Sequence, residues 1–201
     1  MRTYMRILGL LGLLVLVGLR IGAVVHADEP SAADNRTQYL PLIVRAEPPA
    51  PACAPGPEEA ELAARMKNHP EQKRPFLVCD PTLERIAREM AQDMAERDYF
   101  SHINPEGLGP NELVRRGGYP LISSYDPSLT ANNIQSIGRG GTLEQMWPLW
   151  MNSASHRLHL IGDGPFWIAQ TDYGIGYYYD PNSRSQHYWV ILTARKEGAA
   201  Q

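Results

Sequence analysis

The chain has 201 residues, 43% hydrophobic and 20% charged, which suits one domain of moderate size with a real core. Its formal charge of −3 excludes the basic field that nucleic acid or an anionic membrane surface would need. Its 2 cysteines cannot build a zinc-ribbon cluster.

Residues 1–27 read as a secretory signal. Arg2 and Arg6 supply the cationic start, Ile7 to Leu19 the apolar run, and Val25-His26-Ala27 small residues at the cleavage positions. The rival is an uncleaved anchor tethering the chain to a membrane, but Arg20 shortens its apolar stretch below a comfortable span. Cleavage after Ala27 would leave no stable membrane span and a secreted or otherwise extracytoplasmic protein.

Residues 28–57 form a Pro-rich linker, extended and poor in hydrogen-bond donors. It holds the apolar island Tyr39–Val44, either an edge strand or plain linker, and the short sequon Asn35-Arg36-Thr37. In an oxidising compartment Cys53 and Cys79 can close a disulfide between the linker and the main helix; the other reading is two unrelated thiols.

The folded domain is expected over 58–196, with 197–201 as a tail. Glu58 to Asn68 reads as a first helix, with Leu62 and Met66 four apart and His69-Pro70 ending it. Asp80-Pro81 starts the main helix, a capping carboxylate followed by proline; Leu83, Ile86, Ala87, Met90 and Met94 give it an apolar face as far as about Arg97. Gly109-Pro110 opens a short helix closed by Gly117-Gly118, and Thr142 with Gln145 forms a capping box for another. The glycine-rich stretch Gly138 to Gly141 reads as a connector. Tyr173–Tyr179 and His187–Thr193 form a hairpin around Asp180 to Arg184. Tyr188, Val190 and Leu192 lie on one face of the second strand, Trp189 and Ile191 on the other. A strand apolar on both faces implies helices on both sides of the sheet. The fold class is therefore α+β, a three-layer α-β-α sandwich with a mostly antiparallel sheet.

Four histidines stand where they could carry chemistry: His102, His156, His159 and His187. The stretches around them resemble the CAP superfamily, which includes the cysteine-rich secretory proteins, antigen 5 and plant pathogenesis-related proteins. Leu83–Met94 with Tyr99-Phe100-Ser101-His102 and Pro105-Glu106-Gly107 is similar to the family's long helix and the segment after it. Leu113–Tyr119, Trp150-Met151-Asn152-Ser153 with His156-Arg157, and Gly174-Ile175-Gly176 follow in the family's order, closest to its compact bacterial branch.

The resemblance implies the CAP fold and a cleft lined by His102, Asn132, His156 and His187, with His102 and His187 as metal ligands, for zinc. Asn132 stands where the family has a glutamate, and His156 lies in the region of the second acidic position. Asn132 brings no charge and cannot serve as a base, so metal affinity should be weaker than with both glutamates. His156 and His159 are a rival pair if helical geometry persists; on the resemblance, His156-Arg157 fits a helix end and His159 is incidental. The tyrosines at 177–179 could form a shelf for a ligand, while Trp147, Trp150, Trp167 and Trp189 read as core. The expected function is an extracellular binding module for a small molecule, lipid, glycan or peptide. The alternative is a metal-assisted hydrolase of peptide or ester bonds. No G-x-S-x-G elbow or H-E-x-x-H helix supports catalysis.

Overall fold

The structure, a computed structural model, describes residues 52–199. The export segment, most of the linker, the Tyr39–Val44 island and the Asn35 sequon lie outside the described residues. Along the chain come α1 (Pro57–Lys67), β1 (Val78–Cys79), α2 (Pro81–Glu96), α3 (Pro110–Arg116) and β2 (Gln135–Arg139). They are followed by α4 (Leu143–Asn152), α5 (Ala154–Ile161), α6 (Pro165–Ile168), β3 (Asp172–Tyr179) and β4 (His187–Ala194).

The helix starts follow from local chemistry. Asp80 accepts hydrogen bonds from Thr82 N at 2.8 Å and Leu83 N at 3.0 Å, and Pro81 needs no amide partner in the first turn. Gln145 reaches back to accept from Thr142 N at 2.9 Å, the other half of the capping box at α4. The connector expected at Gly138–Gly141 is in part a strand: Gly138 and Arg139 end β2, paired with Trp189 and Tyr188. Gly138 fits there because a Cβ would come within 2.5 Å of the Trp150 ring.

The four strands run in the order β1-β3-β4-β2, with β1 parallel to β3 and the other pairs antiparallel. The pleat of β4 sorts the core into two. Tyr188, Val190, Leu192 and Ala194 pack against α2 and α3 on one face. Trp189 and Ile191 pack against α1, α4 and Leu160 of α5 on the other. The sheet is thus covered on both sides, the three-layer α-β-α sandwich.

α2 lies directly on the β3 backbone because β3 carries Gly174 and Gly176 on that face. A Cβ on either would meet α2 main-chain atoms at 2.2 Å. Cys53 and Cys79 form a disulfide, with Cα atoms 6.2 Å apart, that pins the start of the described chain to β1. Among the described residues no helix is long and apolar enough to cross a membrane.

Candidate functional site

The site is organised by β2, the edge strand. Successive side chains on a strand point to opposite faces, so Gln135 and Ser136 address different layers. Gln135 turns to the α2 side, where its Oε1 lies 2.7 Å from His102 Nδ1 and its Nε2 donates to Met90 Sδ at 3.2 Å. With the amide hydrogens directed at Met90, Oε1 is the acceptor and His102 Nδ1 the donor. The His102 lone pair is then on Nε2. A cavity of about 10 Å³ beside this pair, between Met94, Tyr99 and Leu113, has room for one water at most.

Ser136 turns to the opposite side and meets His159 Nδ1 at 2.6 Å, while His159 Nε2 lies 2.7 Å from Thr193 Oγ1. Arg74 donates to Thr193 Oγ1 at 3.1 Å and to the His159 carbonyl at 2.6 Å. His159 is fully buried, so it is far from incidental: it joins α5 to β2 and β4. Burial, then the Arg74 charge, hold its imidazole well below the usual histidine range.

His156 sits three residues earlier, one turn back on α5. The structure makes it the third residue of a new helix rather than a helix end, because Ser153 breaks α4 and begins α5. Ser153 Oγ is 2.7 Å from His156 Nδ1. Burial lowers the His156 pKa, and the charge His102 would carry lowers it further.

Asn132 is exposed, but its amide is committed to the turn that begins β2. Its Oδ1 accepts from Ile134 N at 3.3 Å and Gln135 N at 3.0 Å, and its Nδ2 donates to Gln135 O at 3.3 Å. It therefore sets the position of Gln135, which in turn holds His102.

His187 does not join this group. It follows the parity of Trp189 and Ile191, so it lies on the other face of the sheet from Gln135. Gln135 is paired with Leu192, five residues along β4 from His187, or about 17 Å at the usual strand rise. His187 Nδ1 instead pairs with the Tyr177 hydroxyl at 2.8 Å. The His102–His187 ligand pair is corrected on this ground: a one-residue difference in parity sends the side chain through the sheet. Among the described residues the one group of three or more that could approach a metal is Cys53, Cys79 and Glu84, and its cysteines are bonded to each other.

Neither His102 nor His156 has a carboxylate on its ring. Phe100 and Ile103, exposed at 37% and 39%, flank His102 along the chain, and the Arg139 guanidinium stacks 4.6 Å from the Phe100 ring centre. Sequence reasoning missed Gln135 and Ser153. The available signals were a polar residue on the core face of a strand, and a serine three before a histidine.

The family model described as the cysteine-rich secretory protein family, CAP, matches residues 63–192. The uncharacterized protein YkwD of Bacillus subtilis (strain 168) is 29% identical over 154 residues, covering 74% of this chain and 54% of that protein. The chain therefore spans about half the length of that relative. An extracellular SCP-domain protein from Bacillus anthracis matches in structure with a TM-score of 0.51 and 21% identity, over 69% of this chain and 40% of that one. An outer surface protein from Borrelia burgdorferi matches with a TM-score of 0.48 and 22% identity, over 69% of this chain and 90% of that one.

Proposed function

This chain belongs to the cysteine-rich secretory protein family, CAP, and on that premise we propose that it acts outside the cytoplasm as a binding module. Its ligand contacts are His102 and His156, at the open edge of the sheet. The observation that carries this reading is the hydrogen bond from His102 to an amide, Gln135, rather than to a carboxylate that would raise the ring's basicity. A neutral amide fixes the ring without raising its basicity, and Asn132 has no free acceptor to take a proton. The exposed Phe100 and Ile103 favour a ligand with an apolar part. The signal-like residues 1–27, the Cys53–Cys79 disulfide and the extracellular description of the Bacillus anthracis protein all agree with a place outside the cytoplasm.

The donor set does not fit a resident zinc ion. Tight protein sites use three or four ligands, whereas His102 and His156 supply two nitrogens and no carboxylate. The metal-assisted hydrolase loses its ligand pair for the same reason that His187 leaves the site.

Two measurements test this. Glycan and peptide arrays probed with the full chain should give binders that His102→Ala/His156→Ala loses; binders retained by that variant would move the ligand site elsewhere. Calorimetric titration with zinc near neutral pH should show no saturable site. One-site binding abolished by the same variant would restore the metal.

A further inference from the structure

The segment leading into β1 runs between two hollows that share no lining residue with the cavity beside His102. One, of about 250 Å³, is bounded by Lys67, Gln72 and Leu77. The other, of about 550 Å³, is bounded by Ile168, Thr171 and Arg195. Pro75 and Phe76 border both, so the hollows adjoin, and Phe76 stands 58% exposed where they meet. Main-chain groups are also on offer there. Val78 N donates to Thr171 O at 2.9 Å and Asp80 N to Tyr173 O at 2.8 Å. Successive residues of a strand direct these groups to opposite edges, so the amide and carbonyl of Leu77 turn away from β3. β1 is the outermost strand on that side of the sheet.

The charges of the two hollows have one sign. Among the described residues no carboxylate lines either, while Lys67 lines the first and Arg195 the second. Neither cation makes an ion pair among the described residues. Lys67 Nζ lies 4.9 Å from the centre of the Tyr173 ring, and Arg195 Nη2 donates to the Ala199 carbonyl at 3.3 Å. Glu197, two residues from Arg195, is engaged elsewhere, accepting from Ser123 N at 2.6 Å. Arg74 also lines the first hollow, but it is buried and donates to the carbonyls of His159 and Leu160. On a chain of formal charge −3, two unpaired cations on either side of an exposed phenyl ring complement a ligand that is acidic at both ends and apolar between.

We propose that these adjoining hollows take an extended acidic peptide segment of a partner protein, with apolar residues between two carboxylates. One carboxylate meets Lys67 and the other Arg195, and the apolar residues cover Phe76 and Ile168. The peptide main chain bonds the outward groups of Leu77, as extended segments do at a free strand edge. A basic segment would meet both cations, and a neutral one would leave them unanswered. The surface is independent of the reading at His102 and His156.

The test is fluorescence anisotropy on the full chain with a labelled hexapeptide, two leucines between two glutamates with a glycine at each end, and its glutamine and lysine counterparts. The glutamate peptide should bind saturably, the glutamine peptide about tenfold weaker, as two partly exposed ion pairs are worth, and the lysine peptide not at all. Lys67→Gln and Arg195→Gln should each weaken the glutamate peptide several-fold and leave the glutamine peptide unchanged. Phe76→Asp, on an exposed side chain, should weaken both peptides without lowering Tm. His102→Ala/His156→Ala should change neither affinity. Equal binding of the glutamate and glutamine peptides, insensitivity to both cation variants, or no saturable binding would overturn the proposal. Displacement of the peptide by an equal concentration of suberate, an eight-carbon diacid, would give the site to a small dicarboxylate instead. A dimer in sedimentation equilibrium that Phe76→Asp dissociates would give it to a second copy of this chain.

Discussion

His156 and His159 are three residues apart on α5, yet one borders the candidate site and the other is sealed between Ser136 and Thr193. Their titration follows from that difference. The unfolded imidazole of His159 titrates near 6.5, while burial and then Arg74 depress it well below that in the fold. Below about 6.5 the unfolded chain therefore binds a proton that the folded chain does not, and stability declines as pH falls. The stabilising effect is complete above the unfolded value and is lost on the way down towards the folded one. His156, lowered chiefly by burial, adds in the same direction. The expected result is a Tm that drops as pH falls from about 6.5 towards 5, with a flatter profile in His159→Gln, read by circular dichroism. At His102 the deciding neighbour is Gln135. Gln135→Glu would place a carboxylate on the Nδ1 side of the ring and should bring out zinc binding that the native chain lacks, measured by competition with a chelating dye. No gain would mean that His102 Nε2 is not directed at the site.

On the scale of elements, the contact between α2 and β3 depends on two missing side chains. Gly174 and Gly176 let the helix main chain rest on the strand, where a Cβ would come within 2.2 Å of backbone rather than of a side chain that could swing away. Gly176→Ala should therefore cost about 1–3 kcal/mol or more in a urea melt, from overpacking that neither element can relieve alone. A cost near zero would show that α2 can slide. β2 works differently. It has five residues, and its first two fix His102 and His159 on opposite faces, so its register sets the site. Asn132 secures that register from outside the strand by accepting from two main-chain amides.

For the molecule as a whole, the Cys53–Cys79 disulfide closes a loop of 26 residues that contains α1. Beside it, Ala54 N donates to Glu84 at 3.0 Å and Arg88 donates to Glu59 and to the Ala54 carbonyl, so the loop is held to α2 at its opening as well. Cys53→Ser and Cys79→Ser should each destabilise the domain by about 2–5 kcal/mol, and equally, in denaturant melts. Unequal losses would point to a packing role for one sulfur. The sequence by itself determined the helix starts, the apolar stripe of α2, the hairpin and the two-faced burial of β4. Each of these rests on local periodicity or on a capping group a few residues away. It also singled out His102, Asn132, His156 and His187 as candidates through the motifs around them. Only the tertiary structure decided the rest. Gln135 gained its role because β2 pairs with β4 so that its amide reaches His102, and that register is set by residues more than 50 positions along the chain. His187 was read into the site because motif order carries no parity. The pleat of a strand whose two faces are both apolar places it on the far side, which no single strand's composition reveals.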